Sequence, residues 1–227
     1  MYASHMHSDH SQEVACGRRF AFGKNWRRFL ATVSAERVSG AEQALSGMLG
    51  DIRGRTFLDV GCGAGLSSLA AHRLGADVQG FDFDPESVAC ATELQRRFGC
   101  SWPVQEGSAL DVAFLRRLGT FDIVYSWGVL HHTGAMWQAL ENMVSLVRPN
   151  GTLFISIYND QGWTSKAWKS VKQLYNRSDL LKPVIVAAAF VLLRVPAVAR
   201  DTFTLGNPLA TLTGRKRGMS SWHDLLD

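Results

Sequence analysis

The chain has 227 residues, 46% of them hydrophobic and 19% charged, with a formal net charge of +4. These values exclude a collagenous or charge-driven disordered chain and suit one ordinary domain with an appendage. The charge is uneven: through Tyr158 there are 14 Lys and Arg against 15 Asp and Glu, and from Asn159 onward 10 against 5. The basic character therefore lies in the C-terminal third. Cys16, Cys62, Cys90 and Cys100 form no C-x-x-C pair, and the opening MYASHMHSDHSQEVACG lacks the apolar core of a secretory signal. Reduced thiols in a cytoplasm are expected.

Residues 1–17 read as a disordered tail, and His5, His7 and His10 lack the ordered neighbours of a metal tract. No metal site is expected elsewhere. Within 18–50, Trp26, Phe29, Leu30 and Val33 recur at helical spacing, which predicts a helix from about Lys24. A second helix is expected over Glu36–Leu49. The aromatic residues of the first helix either pack onto a core or cover a ligand; packing is the preferred reading.

The stretch Thr56–Ala71, TFLDVGCGAGLSSLAA, organises the rest. The apolar run Phe57–Val60 stops at Gly61, glycines follow at 61, 63 and 65, and Leu66–Leu74 has helical character. This is strand, glycine turn, helix. Glycine admits positive φ and lets a ligand lie against the backbone, and the helix start aims its N–H groups at the same spot. The spacing G-x-G-x-G is not the dinucleotide G-x-G-x-x-G, and the Lys-Ser/Thr of a phosphate loop is missing. Asp59, at the strand end, would repel a pyrophosphate and suit an ammonium group.

Next come a strand, Asp77–Asp82, and a helix, Glu86–Phe98, closed by Gly99. An acid at the end of such a strand can accept two hydrogen bonds from a ribose, and Asp82 fits; Asp84, just before Pro85, fits a helix cap better. Trp102–Glu106 is a third strand, at an edge because of Pro103. Asp111 precedes a helix over Val112–Leu118; a cap is its preferred role, and a ligand contact beside Ser108 is the alternative. Phe121–Trp127 is the fourth strand, and Gly128–Thr133 follows it. A helix over Met136–Val147, a turn at Arg148–Gly151 and a fifth strand over Thr152–Tyr158 complete the pattern. Strands alternating with helices predict an α/β, doubly wound, Rossmann-like parallel sheet of order 3-2-1-4-5. Its crevice lies between strands one and four, and Asp59, Gly61, Asp82, Ser126 and Trp127 converge there.

Beyond Tyr158, Trp163, Ala167, Val171 and Leu174 have amphipathic helical spacing. Val184–Leu193 is apolar all round but too short to span a bilayer. A buried helix of a substrate cap is preferred; the sharper alternative is peripheral membrane contact through 183–195, aided by basic neighbours. The expected organisation is a tail (1–17), N-terminal helices that could form a lid (18–50), a ligand-binding Rossmann-like domain (51–158) and a helical cap (159–227).

LDVGCGAG resembles the first motif of the class I S-adenosylmethionine (SAM) methyltransferases. FDIVYSWGVLHHT and VRPNGTLFIS resemble the second and third motifs of its small-molecule branch, which includes the ubiquinone and menaquinone methyltransferases. The resemblance implies SAM as cofactor. It implies that Asp59 acts near the methionine ammonium and that Gly61, Cys62, Gly63 and Gly65 supply backbone. By the same pattern Asp82 binds the ribose hydroxyls, and Phe83 lies against the adenine. Ser108 and Ala109 take the place of a segment that usually carries Asp after its glycine, a departure that weakens adenine recognition. Ser126 and Trp127 close the site, and Phe22, Asn25 and Trp26 are lid candidates. His132 is the candidate base, a structural role being the alternative, and Tyr158 is a weaker candidate for substrate contact. The family's sheet has seven strands; the last two are not found in this sequence, and a fragment is the preferred explanation. The expected function is methyl transfer to a small-molecule acceptor on O, N or C. The alternatives are a nucleic-acid methyltransferase and a non-catalytic SAM-binding protein. The strand-four motif lacks the Asn/Asp-Pro-Pro-aromatic signature of base-amino methylation, and Arg215-Lys216-Arg217 is the only compact basic cluster, so no nucleic-acid partner is expected.

Overall fold

A computed structural model describes residues 23–158, with isolated positions at 162, 163, 168, 170, 171, 184, 185 and 188. The chain divides into two compact units, Met1–Tyr158 and Asn159–Asp227. In the second, Trp163, Trp168, Ser170, Val171, Val184, Ile185 and Ala188 are helical. The expected tail, the basic cluster and any sixth and seventh strands lie outside the described residues.

The first unit runs α1 (Gly23–Ala31), α2 (Ala35–Leu49), β1 (Thr56–Val60), α3 (Leu66–Arg73), β2 (Asp77–Asp82) and α4 (Pro85–Phe98). It continues with β3 (Val104–Glu106), α5 (Val112–Leu118), β4 (Phe121–Trp127), a 3-10 turn (Leu130–His132), α6 (Met136–Val144) and β5 (Val147–Ser156). The sheet has the order β3-β2-β1-β4-β5, and every pairing is parallel. This is the doubly wound, Rossmann-like order expected from the alternation of elements.

Alternation along the strands builds the two faces. Phe57 joins one core with Leu45, Leu69, Leu94, Ile123 and Tyr125, under α2, α3 and α4. Leu58 and Val60 join the other with Phe81, Phe114 and Leu130, under α5 and α6. Asp59 therefore shares the face of Phe57 and lies beneath the start of α3. The helix ends follow local chemistry: Ser34, Asp84 and Asp111 accept from the N–H groups of Arg37, Glu86 and Phe114. Asp111 is thus a cap.

Two boundaries differ from expectation. The helix over 136–147 stops at Val144, and β5 starts at Val147 instead of Thr152. Val147 pairs with Phe121, and Thr152 pairs with Ile123. The turn residues Arg148–Gly151 are looped out between these pairs as a bulge, with Asn150 at φ 63°. A Cβ on Gly151 would lie 2.9 Å from the carbonyl oxygens of Arg148 and Asp122. The strand also ends at Ser156, so Tyr158 follows it and is exposed.

Candidate active site

The site grows from the turn after β1. Gly61, Gly63 and Gly65 all have positive φ, 71°, 54° and 81°. At Gly61 a Cβ would stand 2.4 Å from the side chain of Val129, and at Gly63 2.6 Å from the ring of Trp26. Only glycine satisfies both the backbone conformation and these close approaches. The N–H groups of Gly61 and Cys62 donate to the Phe81 carbonyl at 2.8 and 3.1 Å, which ties the turn to β2. The next N–H, of Gly63, donates to Asp82 Oδ2 at 2.9 Å. Asp82 Oδ1 accepts from Asp84 N–H, also at 2.9 Å. A carboxylate has about four acceptor positions, and these two contacts fix its orientation at the strand end. A carboxylate held this way at a strand end suits a vicinal diol.

Asp59 is 3% exposed and accepts from Ser68 Oγ at 2.5 Å. Burial pushes its carboxyl from 3.8 up to about 7; the Ser68 hydroxyl opposes the rise and the charge of Asp82 adds to it. Two carboxylates thus act on one crevice. Tyr125, on the neighbouring strand, is pushed up to about 12 by burial and by the charge of Asp59. Cys62 is buried, and burial raises its thiol well above the ordinary range, so it is a filler and not a thiolate.

The other expected residues are distributed as follows. Phe83 is half-buried beside Asp82. Gly107 N–H donates to the Asp82 carbonyl at 2.9 Å, which brings Ser108 and Ala109 to the same end of the sheet. Ser108 Oγ accepts from Leu110 N–H at 3.2 Å, and the Ala109 carbonyl accepts from Asn142 Nδ2 at 2.9 Å. Ser126 is fully buried, and its hydroxyl donates to the Val60 carbonyl at 3.2 Å, closing the floor between β1 and β4. Trp127 is 50% exposed and stacks on Phe154 at 6.0 Å and 7°. Trp26 packs edge-on to Phe29 and sits against Gly63, so α1 covers the turn while contributing to the core. Asn25 is exposed on the same helix, and Phe22 lies outside the described residues. His131, His132 and Tyr158 form a ring cluster after β4, with centroids 4.0, 4.4 and 5.8 Å apart.

Ser68, Val129 and Tyr125 are contributors that the sequence reading passed over. A Ser in the first turn after a glycine loop was the available signal for Ser68. Val129 had none, because its role comes from packing against a residue 68 positions earlier.

The residues fit SAM. Positive-φ glycines give backbone access, Asp82 is oriented for a diol, and a cation near Asp59 would relieve its costly burial. Among the described residues no cluster of three His, Cys, Asp or Glu could hold a metal.

Residues 58–155 match the family described as "Methyltransferase domain". The chain is 39% identical over 108 residues to a ubiquinone biosynthesis O-methyltransferase of Xanthomonas campestris pv. campestris, covering 47% of this chain and 44% of that one. It is 32% identical over 108 residues to the enzyme so named in Paraburkholderia xenovorans, covering 48% and 46%. The chain thus spans under half the length of the curated relatives it matches. Among solved structures, magnesium protoporphyrin IX methyltransferase of Synechocystis, with bound SAH, aligns over 68% of this chain and 74% of its own, with 19% identity and a TM-score of 0.50. The YcgJ protein of Bacillus subtilis aligns over 66% and 67%, with 17% identity and a TM-score of 0.52. These two likenesses show the fold. The match to the methyltransferase domain thus covers the part of the chain that carries the glycine turn and the β3-β2-β1-β4-β5 sheet.

Proposed function

We propose that the protein transfers a methyl group from SAM to a small-molecule acceptor, in the cytoplasm. The observation that carries this reading is the convergence of Asp59 and Asp82 on one glycine turn, a pairing that suits a ligand with both a cation and a diol. The similarity to ubiquinone biosynthesis O-methyltransferases supports an aromatic hydroxyl as the acceptor. Among the described residues no helix is long and apolar enough to cross a membrane. The membrane contact considered for 183–195 falls mostly outside the described residues.

SAM supplies an electrophilic methyl group on a sulfonium. The chain supplies the rest. Asp82 orients the ribose, and Asp59 offers counter-charge to the methionine ammonium. The glycine backbone and Cys62 line the turn, and Phe83, Ser108 and Ala109 border the adenine. Ser126 holds the floor, while Trp26 and Trp127 exclude water, which strengthens the electrostatics inside. An imidazole of the His131–His132 pair receives the acceptor's proton.

Calorimetric titration with SAM tests this. The wild type should bind, and Asp82→Ala should lose at least about 100-fold in affinity, since two charge-assisted bonds that orient the turn and two to the ribose disappear together. A screen of phenols and catechols with labelled SAM then tests turnover. Equal binding by Asp82→Ala and wild type would refute the site; binding without any turnover would favour a non-catalytic SAM-binding protein.

A further inference from the structure

We propose that His131, the neighbour of the expected His132, takes the hydroxyl proton of the methyl acceptor; this rests on the methyl-transfer reading above. Among the described residues, His131 is the histidine whose Nδ1 and Nε2 are both buried without a hydrogen-bond partner. Such an arrangement forfeits the hydrogen bonds that both nitrogens would make in water. Packing does not demand it. The residue that anchors this turn in the core is Leu130, 1% exposed. A buried polar group without a partner in an otherwise satisfied turn needs a reason, and an acceptor hydroxyl provides one.

The turn is also hydrogen-bonded internally and packed on the glycine turn. His132 N–H donates to the Val129 carbonyl at 2.8 Å, and Thr133 Oγ1 donates to the Leu130 carbonyl at 2.7 Å. Val129, two residues before His131, packs directly on Gly61 of the cofactor turn. The rings of His132 and Tyr158 hold the His131 imidazole at 4.0 and 4.4 Å, tilted by 47° and 45°. Burial lowers the imidazole's pKa from 6.5, which keeps it in the neutral, proton-accepting form at neutral pH. In the step itself, the proton passes from the hydroxyl oxygen to an imidazole nitrogen. The O–H electron pair stays on oxygen as the nucleophile, and the imidazolium later releases the proton to water.

The test uses the full chain. S-adenosylhomocysteine binding is measured for wild type, His131→Gln and His132→Gln, and methyl transfer is measured to a panel of simple phenols and catechols. His131→Gln should bind S-adenosylhomocysteine within about twofold of wild type, which also shows that it folds, and lose at least about 100-fold in kcat/KM. His132→Gln should lose less. A loss under threefold in His131→Gln, or a larger loss in His132→Gln, overturns the inference. If no probe is turned over, the 15N shifts of the His131 ring decide. They should move when a probe joins the S-adenosylhomocysteine complex, and constancy with every probe overturns the inference. A wild type that fails to bind S-adenosylhomocysteine refutes the methyl-transfer reading itself, a distinct outcome.

Discussion

Asp59→Asn separates the stability of this domain from its proposed chemistry. In the folded protein burial raises the Asp59 carboxyl to about 7, while the unfolded chain keeps the ordinary 3.8. Between those values the folded state holds a proton that the unfolded state does not. Stability therefore falls as pH rises from about 4 to about 7 and stays at the lower level above that. At about 1.36 kcal/mol per unit, ionising Asp59 costs the folded state about 4 kcal/mol. Asparagine keeps the shape, never ionises, and its carbonyl still accepts from the Ser68 hydroxyl. In urea unfolding, Asp59→Asn should match wild type at pH 4, exceed it by about 2–4 kcal/mol at pH 8, and show a flatter profile between. Binding should move the other way. The variant should lose about 10- to 100-fold in SAM affinity at pH 8, because a cation loses its counter-charge. At pH 6, where wild-type Asp59 is mostly protonated, SAM binding should release close to one proton. Calorimetry in two buffers of different ionisation enthalpy reads that release. Equal stability of the two proteins at pH 8, together with no proton release in wild type, would refute the argument.

Two further outcomes test the scaffold. Gly107→Ala places a Cβ 2.2 Å from the ring of Phe114, which is itself in the core, so equilibrium unfolding should show a loss of about 1–3 kcal/mol. Asp122 accepts from Thr56 N–H and Thr56 Oγ1, both at 2.8 Å, and from Arg148 at 3.1 Å, and these hold its carboxyl down at about 2. Its stabilisation is present above the ordinary 3.8 and lost as pH falls toward 2; Asp122→Asn should therefore remove part of the acid limb of a pH–stability profile and leave the Asp59 limb intact.

The legible parts of this molecule are those whose cause is local. Phe57 and Leu58 read as one apolar run, and strand pleating alone sends them to opposite cores. Gly61, Gly63 and Gly65 announce a turn because the backbone conformation is written in the residue type. Asp84 and Asp111 announce helix starts for the same reason. What stayed hidden depends on residues far apart in the chain. Val147 belongs to β5 only because Phe121 stands opposite it, and a bulge over Arg148–Gly151 lets the strand resume at Thr152. The Thr56–Asp122 clamp joins residues 66 positions apart. The ring contacts of His131 with Tyr158 depend on where β5 delivers the chain, and no spacing rule reports that.

Two buried polar groups with an unusual cost mark the two halves of the proposed site. Most buried polar side chains here have a settled partner: Ser126 on the Val60 carbonyl, Gln95 on the Trp102 carbonyl, Asp84 on Glu86 N–H. Ser87 Oγ and Trp102 Nε1 lack one, but each is a single neutral atom, a modest cost. Asp59 and His131 are different in kind. Asp59 carries an ionisable group whose burial costs several kilocalories per mole at neutral pH, and His131 leaves two ring nitrogens unmade at once. Asp59 lies two residues before Gly61 and His131 two residues after Val129, and Val129 packs on Gly61. On the proposed reading the first would meet a cation and the second an acceptor hydroxyl. A methyl donor with a cationic amino acid moiety and a hydroxylic acceptor supply both in one encounter. A dinucleotide, whose pyrophosphate would lie at the glycine turn near Asp59, does not supply the cation.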